Sequence, residues 1–548
     1  LTPVYPITAG LTQTTLGKWI SWALEQASLE ETLPEKVYRK LGLPSFADSL
    51  QSVHSPPPNV DQRALENRET PAWKRLAFDE LLAQQLSMRQ HYARRHKLLA
   101  PPMQTSKTLV NALLQGLPFS LTKAQQRVIQ EIGNDLAQPH PMQRLLQGDV
   151  GSGKTIVATM AALQAIENGW QVAIMAPTEI LAEQHFTKMQ AWLAPMNIQV
   201  VWLSGSQGSK SRKSSLDAVA NGEAKLVVGT HALIQEQVQF AHLGLAIVDE
   251  QHRFGVHQRL SLRQKGVEAS GDAKLEPHQL MMSATPIPRT LSMSYYADLD
   301  VSAIDELPPG RTPVATRLVS EERREEVLMR VREACKQGSQ AYWVCPLIEE
   351  SESLQLKTAQ ETFALMQRTF PDLLVGLVHG RLKPAEKQAV MEAFSRNEIQ
   401  LLVATTVIEV GVDVPNASLM VIEHAERMGL SQLHQLRGRV GRGSAKSSCI
   451  LLYQAPLNET AKARLKIIYE SNDGFEIAQA DLAIRGPGEY LGVRQSGVPM
   501  LKIADLERDA KLLPMARDAA DWLLEADPVA VERHLQRWLG HAEELVKV

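Results

Sequence analysis

Two similar series of short apolar runs, each no longer than a β-strand, occupy the middle of the chain. The first comprises Gln143–Leu146, Gln171–Pro177, Lys225–Thr230, Leu245–Glu250 and Leu280–Thr285. The second comprises Gln340–Pro346, Leu373–His379, Gln400–Thr406, Leu419–Glu423 and Ser448–Tyr453. Apolar and polar positions hardly alternate within them, which is how strands covered on both faces read. Between many of the runs the spacing turns helical, as over Ile156–Asn168 and Ala385–Ser395. Repeated strand–helix alternation predicts parallel sheets with right-handed crossovers. The expected fold class is α/β, with two parallel-sheet lobes in tandem. Ligands of such sheets bind at the carboxyl ends of the strands, so the chemistry should gather there.

The pattern changes at both ends. Lys74–Ala100 mixes charged and apolar residues at helical spacing, and Ser55-Pro56-Pro57-Pro58 reads as a stiff connector. Residues 1–105 are therefore expected to be a helical accessory segment, and residues 106–307 the first lobe. The Pro- and Gly-rich stretch Glu306–Pro313 blocks both helix and strand and reads as the interlobe linker. Residues 308–455 would form the second lobe. The remainder, 456–548, is a second mainly helical region interrupted by Arg485-Gly486-Pro487-Gly488.

Length supports this division, since 548 residues exceed what one hydrophobic core organises. Each apolar run falls far short of the roughly 20 residues that cross a bilayer, so no membrane segment is expected. Net charge is −3. That excludes a surface coated in basic residues, but a protein that releases nucleic acid in every cycle needs only a local basic groove. Cys335, Cys345 and Cys449 are scattered without CxxC spacing and read as packing residues in a reducing compartment. Trp202, Tyr342 and Trp343 lie in strand-like runs and read as core. The aromatic content of 5% leaves little for stacking on single strands. Lys210, Arg212 and Lys213 sit in a Ser/Gly-rich stretch expected to be a loop, either touching nucleic acid or simply solvated.

Three clusters carry candidate chemistry. Gly148-Asp149-Val150-Gly151-Ser152-Gly153-Lys154-Thr155 matches GxxxxGK[ST] in full, after a strand and opening a helix. Gly148, Gly151, Ser152 and Gly153 would turn backbone N–H groups around a phosphate, Lys154 would reach the β- and γ-phosphates, and Thr155 would ligate Mg²⁺. Asp249 and Glu250 end an apolar strand. Asp249 would hold Mg²⁺ and Glu250 would orient and deprotonate the attacking water. Arg437, Arg439 and Arg442 each stand beside a glycine in the second series. They read as fingers that stabilise γ-phosphate charge across a cleft, or else as a basic turn on a phosphate backbone.

The set resembles a superfamily 2 helicase, built from two recA-like P-loop lobes. Gly148–Thr155 is similar to its motif I, Asp249-Glu250-Gln251-His252 to motif II, Ser283-Ala284-Thr285 to motif III and Gln435–Arg442 to motif VI. Ala176-Pro177-Thr178-Glu179 resembles motif Ia, Gly229-Thr230-His231 motif Ib, and the stretch from Thr405 through Thr406 and Gly411 to Asp413 motif V. Phe119 to Thr122, with Gln125 and Gln126, resembles the adenine-reading segment, Gln125 being the base contact. Asp249–Val256, Met282–Thr290, Gln432–Arg439 and Ser471–Glu489 narrow the resemblance to the RecG family of bacterial branched-DNA helicases, and are shared in large part with transcription-repair coupling translocases.

That resemblance implies an ATP-dependent double-stranded DNA translocase that uses Mg²⁺. It would regress replication forks and migrate Holliday junctions in recombination and repair. It assigns nucleotide contacts to Gly411 and Asp413, and motor–DNA coupling to Arg464, Arg485 and Gln495. Thr178, Thr230, His231 and Thr406 become candidate phosphate contacts, although each threonine could equally cap a helix or satisfy a strand end. It further implies a monomer in the bacterial cytoplasm, associated with the nucleoid, with single-strand binding protein as a partner. Leu1–Pro6 resembles the segment that follows the family's N-terminal wedge domain, so the chain is expected to begin just after that domain. A polymerase-pushing motor and a nucleotide-gated clamp are the competing readings.

Overall fold

The computed structural model describes the chain apart from residues 1–3, 7–9, 106–107, 206, 252–253, 255, 270–274, 285–298, 309–312, 346–351, 406–413, 444–445, 486–500, 507 and 541–548. Thirteen strands are present among the described residues. Seven form one sheet: β1 (Gln143–Gly148), β2 (Gln171–Met175), β3 (Val200–Leu203), β4 (Leu226–Gly229), β5 (Leu243–Val248), β6 (His278–Ser283) and β7 (Asp300–Ile304). They lie in the order β3-β4-β2-β5-β6-β1-β7, and each adjacent pair is parallel. The second sheet has β8 (Ala315–Ser320), β9 (Gln340–Val344), β10 (Val375–Val378), β11 (Leu401–Ala404), β12 (Ala417–Ile422) and β13 (Ser448–Tyr453). Its order is β10-β11-β9-β12-β13-β8, again parallel throughout. These are the two recA-like lobes that the apolar runs predict.

All ten expected strands are found, and three more that the runs do not reveal. β3, β7 and β8 are sheet edges, and their side chains are buried only at some positions. β7 and β8 mix polar with apolar residues, as partly covered edges do, whereas β3 is an apolar run of only four residues. Central strands such as β2, β5 and β12 are buried at every position. Each sheet has core on both faces: Leu146, Ile174 and Ile247 on one side of the first and Ala173, Met175 and Val248 on the other. Tyr342 and Trp343 are enclosed on opposite faces of the second sheet, and all three cysteines are buried free thiols. Lys210, Arg212 and Lys213 differ from expectation, because Ser209–Ala220 is a helix. Arg212 donates from it to Ser204 O at 2.8 Å and to Gln235 Oε1 at 2.7 Å.

The chain divides into two compact units. One holds both sheets and comprises Arg95–Pro288 and Leu299–Gly486. The other joins the two ends of the chain, Leu1–Arg94 with Pro487–Val548. Within this accessory unit the Arg75 guanidinium bridges Glu31 (2.6 Å) and Asp79 (2.8 Å) and also donates to Pro44 O at 2.7 Å. Glu80 accepts three consecutive backbone N–H groups, from Lys502, Ile503 and Ala504, at 2.6–2.8 Å. Nothing in the sequence order signals that these distant segments meet. No helix among the described residues is long and apolar enough to cross a membrane.

Candidate active site

The phosphate loop leaves the carboxyl end of β1 and enters the helix Lys154–Glu167. Gly151 and Gly153 have φ of +78° and +92°, values that L side chains rarely tolerate. A Cβ at Gly148 would strike Ser152 Oγ at 2.5 Å, and one at Gly153 would collide with Gln125 Nε2. A Cβ at either glycine would displace a side chain that lines the loop, and Gly153 is required by its conformation as well. Lys154 Nζ donates to the carbonyls of Gly148 (2.6 Å) and Asp149 (3.0 Å). Burial pulls its pKa below the ordinary lysine value, against the carboxylates of Glu250, Asp249 and Asp149. Ser152 Oγ is buried without a hydrogen-bond partner among the described residues. A loop with an unused buried hydroxyl, a lysine folded onto carbonyls and no room for Cβ atoms is shaped for an incoming phosphate chain.

Gln125 is 3% exposed. Its Nε2 donates to Ser152 O (2.9 Å) while its Oε1 accepts from Thr122 N (3.0 Å). The residue therefore ties the loop to the capped start of the helix Lys123–Leu136. Phe119 stands nearby in sequence and is 47% exposed.

Asp249 and Glu250 follow β5. Asp249 Oδ1 accepts from Glu250 N at 3.0 Å, and Oδ2 faces His185 Nε2 at 2.7 Å. Glu250 has φ +51°, a left-handed backbone that costs about 1–3 kcal/mol and marks functional turns. Its Oε2 accepts from Ala284 N at 3.4 Å. The two carboxyls are driven apart. Burial opposes ionisation of Asp249, but the hydrogen bond and charge of His185, then Lys154, outweigh it and set its pKa low. Burial and the neighbouring Asp249 push Glu250 up. One acid is held as a carboxylate and its neighbour is kept ready to take a proton.

The second lobe closes on this site. His434, in the helix Leu430–Arg437, hydrogen-bonds Asp149 of the phosphate loop. A Cβ on Gly438 would lie 2.9 Å from Val150 Cβ. The charge of Arg439 is felt at Glu250 and that of Arg442 at Lys154. Arg442 Nε also donates to Gly438 O at 3.3 Å. Arg437 is no finger. Its guanidinium turns into the second lobe, donating to Ile468 O (2.7 Å), Ser471 O (2.8 Å) and His434 Nδ1 (3.1 Å). Arginine cannot accept a hydrogen bond, so His434 Nδ1 is the acceptor and Nε2–H points to Asp149.

Other expected residues are less gathered. Thr178 is exposed and caps the helix Glu179–Leu193, accepting from Leu181 N at 3.3 Å. Thr230 is 2% exposed, enclosed rather than presented, its hydroxyl without a partner among the described residues, while His231 beside it is exposed. Arg464 is half-buried on the helix Glu459–Glu470, its Nε without a hydrogen-bond partner among the described residues. Thr155 sits in the first turn of its helix, beside Lys154. Thr285, Thr406, Gly411, Asp413 and Gln495 lie outside the described residues, as does the side chain of Arg485 at the end of the helix Gly474–Arg485. His185 and His434 are the residues that sequence reasoning missed. Both fall on buried helix faces, His185 among Ala182, Met189 and Leu193, where a histidine must find a partner.

Two parallel lobes with a phosphate loop, an acidic pair and arginines brought in by the second lobe define an ATP-dependent helicase of superfamily 2. Residues 122–294 match the DEAD/DEAH box helicase family and residues 324–444 the helicase conserved C-terminal domain. Residues 471–539 match the C-terminal part of domain 3 of the ATP-dependent DNA helicase RecG. The chain is 53% identical over 547 residues to the ATP-dependent DNA helicase RecG of Escherichia coli strain K12, covering 99% of this chain and 78% of that one. Against the Haemophilus influenzae protein of that name the identity is 51%, with the same coverage. A solved structure of RecG bound to a three-way DNA junction is 42% identical, with a TM-score of 0.71 over 93% of this chain and 66% of that one. The chain belongs to the RecG family of ATP-dependent DNA helicases.

Proposed function

We propose that this chain is an ATP-driven translocase on double-stranded DNA that remodels branch points, regressing forks and migrating Holliday junctions. The observation that carries the reading is the two-lobed ATP site, in a chain 42% identical to a helicase seen on a three-way DNA junction. Lys154 leaves its carbonyl partners to hold the β- and γ-phosphates, and Ser152 and the loop N–H groups cradle the chain. The second amide hydrogen of Gln125 reads the adenine, against which Phe119 packs. Among the described residues no group of three or more His, Cys, Asp or Glu could hold a metal. Mg²⁺ suits such a site, because it usually takes only one or two protein ligands beside water and phosphate. Thr155 and Asp249 would hold it, and it would supply neutralisation of the phosphate charge.

Glu250 then orients and deprotonates the attacking water. Arg439 and Arg442 stabilise the charge that develops on the γ-phosphoryl group, and only while the second lobe is in place. That dependence couples hydrolysis to lobe movement. The exposed Thr178 and His231 contact the phosphate track, and Arg464 serves the coupling network. The test is ATP hydrolysis and strand displacement on a three-way junction. A motor gives hydrolysis stimulated by DNA, and displacement only with hydrolysable nucleotide. Tight binding of both ligands without stimulation would identify a clamp and end the proposal.

A further inference from the structure

On the reading that Asp249 holds Mg²⁺, we infer that His185 is its positioning residue, fixing the carboxylate that receives the metal. Asp249 Oδ1 is occupied by Glu250 N and Oδ2 by His185 Nε2. A carboxylate only accepts, so Nε2 carries the hydrogen. With a donor on each oxygen the carboxylate cannot rotate, and its remaining lone pairs keep one direction. A group that orients a metal ligand in this way raises metal affinity without touching the metal.

The simpler possibility is a core histidine that bonds whatever acceptor lies closest. His185 is 5% exposed on an apolar helix face, as such a residue would be. Two other buried histidines show what core residues do in this chain: His278 bonds Pro101 O at 2.9 Å and His534 bonds Asp79 O at 2.8 Å. Each uses a backbone carbonyl. His185 instead meets the acid at the tip of β5, itself only 7% exposed. Its helix is anchored for the task. Thr178 caps the start, and Glu183 accepts from Gln388 Nε2 of the second lobe at 3.1 Å, two residues before His185.

The test measures binding of a fluorescent ADP analogue as a function of Mg²⁺, with no turnover involved, and steady-state ATP hydrolysis alongside. His185→Ala should bind the analogue normally in EDTA, while its half-saturating Mg²⁺ rises about tenfold or more. Hydrolysis should lose kcat at fixed Mg²⁺ and recover partly as Mg²⁺ is raised. His185→Gln, whose amide Nε2 can reach the same oxygen, should restore most of the Mg²⁺ affinity. Should the alanine chain fail to fold, His185→Asn, too short to reach Oδ2, takes its place. Wild-type Mg²⁺ dependence in the alanine or asparagine variant overturns the inference, as does a glutamine variant no better than either. Asp249→Asn separates the underlying assignment: if it too leaves Mg²⁺ dependence unchanged, Asp249 is not the metal carboxylate and His185 falls with it.

Discussion

Two of the places where charge is buried among the described residues are finished differently. In the accessory unit, Arg75 meets Glu31, Asp79 and the Pro44 carbonyl, and its guanidinium lies 4.6 Å from the Tyr38 ring centre. His534 joins Thr32 to the Asp79 carbonyl. All three guanidinium nitrogens of Arg75 are used, although Asp79 Oδ2 and the neighbouring Arg537 Nη1 have no hydrogen-bond partner among the described residues. In the ATP site, Lys154 borrows two carbonyls, Ser152 Oγ has no partner among the described residues, and two acids stand side by side with Glu250 in a left-handed turn. Buried charge that serves stability sets its cation against fixed acceptors of the fold, as Arg75 does. Buried charge that serves a ligand is left incomplete, and the fold bears that cost.

Substitutions should separate the two regions. The largest effect is expected from Lys154→Ala, which should lower kcat for DNA-stimulated ATP hydrolysis by about three orders of magnitude. Thermal unfolding should change less than it does for Arg75→Leu, because Asp249 keeps His185 and only the longer-range charge of Lys154 is lost. Next comes Arg75→Leu, which leaves Glu31 and Asp79 without their cation. Denaturant titration should show a loss of about 3–5 kcal/mol. If Lys154→Ala proved the more destabilising of the two, the distinction would fail. Gly153→Ala stands between the regions in kind. Its Cβ meets Gln125 and its φ must be positive, so strain of about 1–2 kcal/mol should weaken nucleotide binding roughly tenfold in equilibrium titrations.

The smallest effect is on pH dependence. Burial pulls His534 down to about 4 from 6.5, so the fold favours its neutral form. Its contribution to stability is complete above pH 6.5 and is lost as pH falls towards 4. Asp79 works the other way. Burial raises it to about 7, against the pull of Arg75, so its contribution fades as pH rises from about 4 to 7. The histidine's share is therefore read as a difference. His534→Gln should be less sensitive than wild type to acid between pH 6.5 and 4, and equal slopes in thermal melts would deny it that role.

Legibility in the sequence followed local pattern. Strands covered on both faces, such as β2 and β12, could be read from unbroken apolar runs, and the phosphate loop from eight consecutive residues. β7 and β8 could not, since a partly covered edge strand leaves only a partial pattern, and β3 is an apolar run of only four residues. Asp249 and Glu250 were visible as a pair, but their opposite pKa shifts depend on His185, 64 residues away in sequence. Arg437 looked equal to Arg439 and Arg442 beside its glycine. Only the positions of Ile468 and Ser471 show that it braces the second lobe. Glu80 looked like any acid on a mixed helix, and only the fold brings Lys502–Ala504 to it.

The central claim is that the second lobe completes an ATP site which the first lobe leaves open. Arg439→Ala tests it most directly, with nucleotide affinity, thermal unfolding and DNA-stimulated hydrolysis measured on the same preparation. The account predicts near-normal nucleotide binding, an unchanged unfolding midpoint and a kcat reduced by about 10²–10³. Hydrolysis within a few-fold of wild type, or lost only in proportion to a fall in stability, would contradict it.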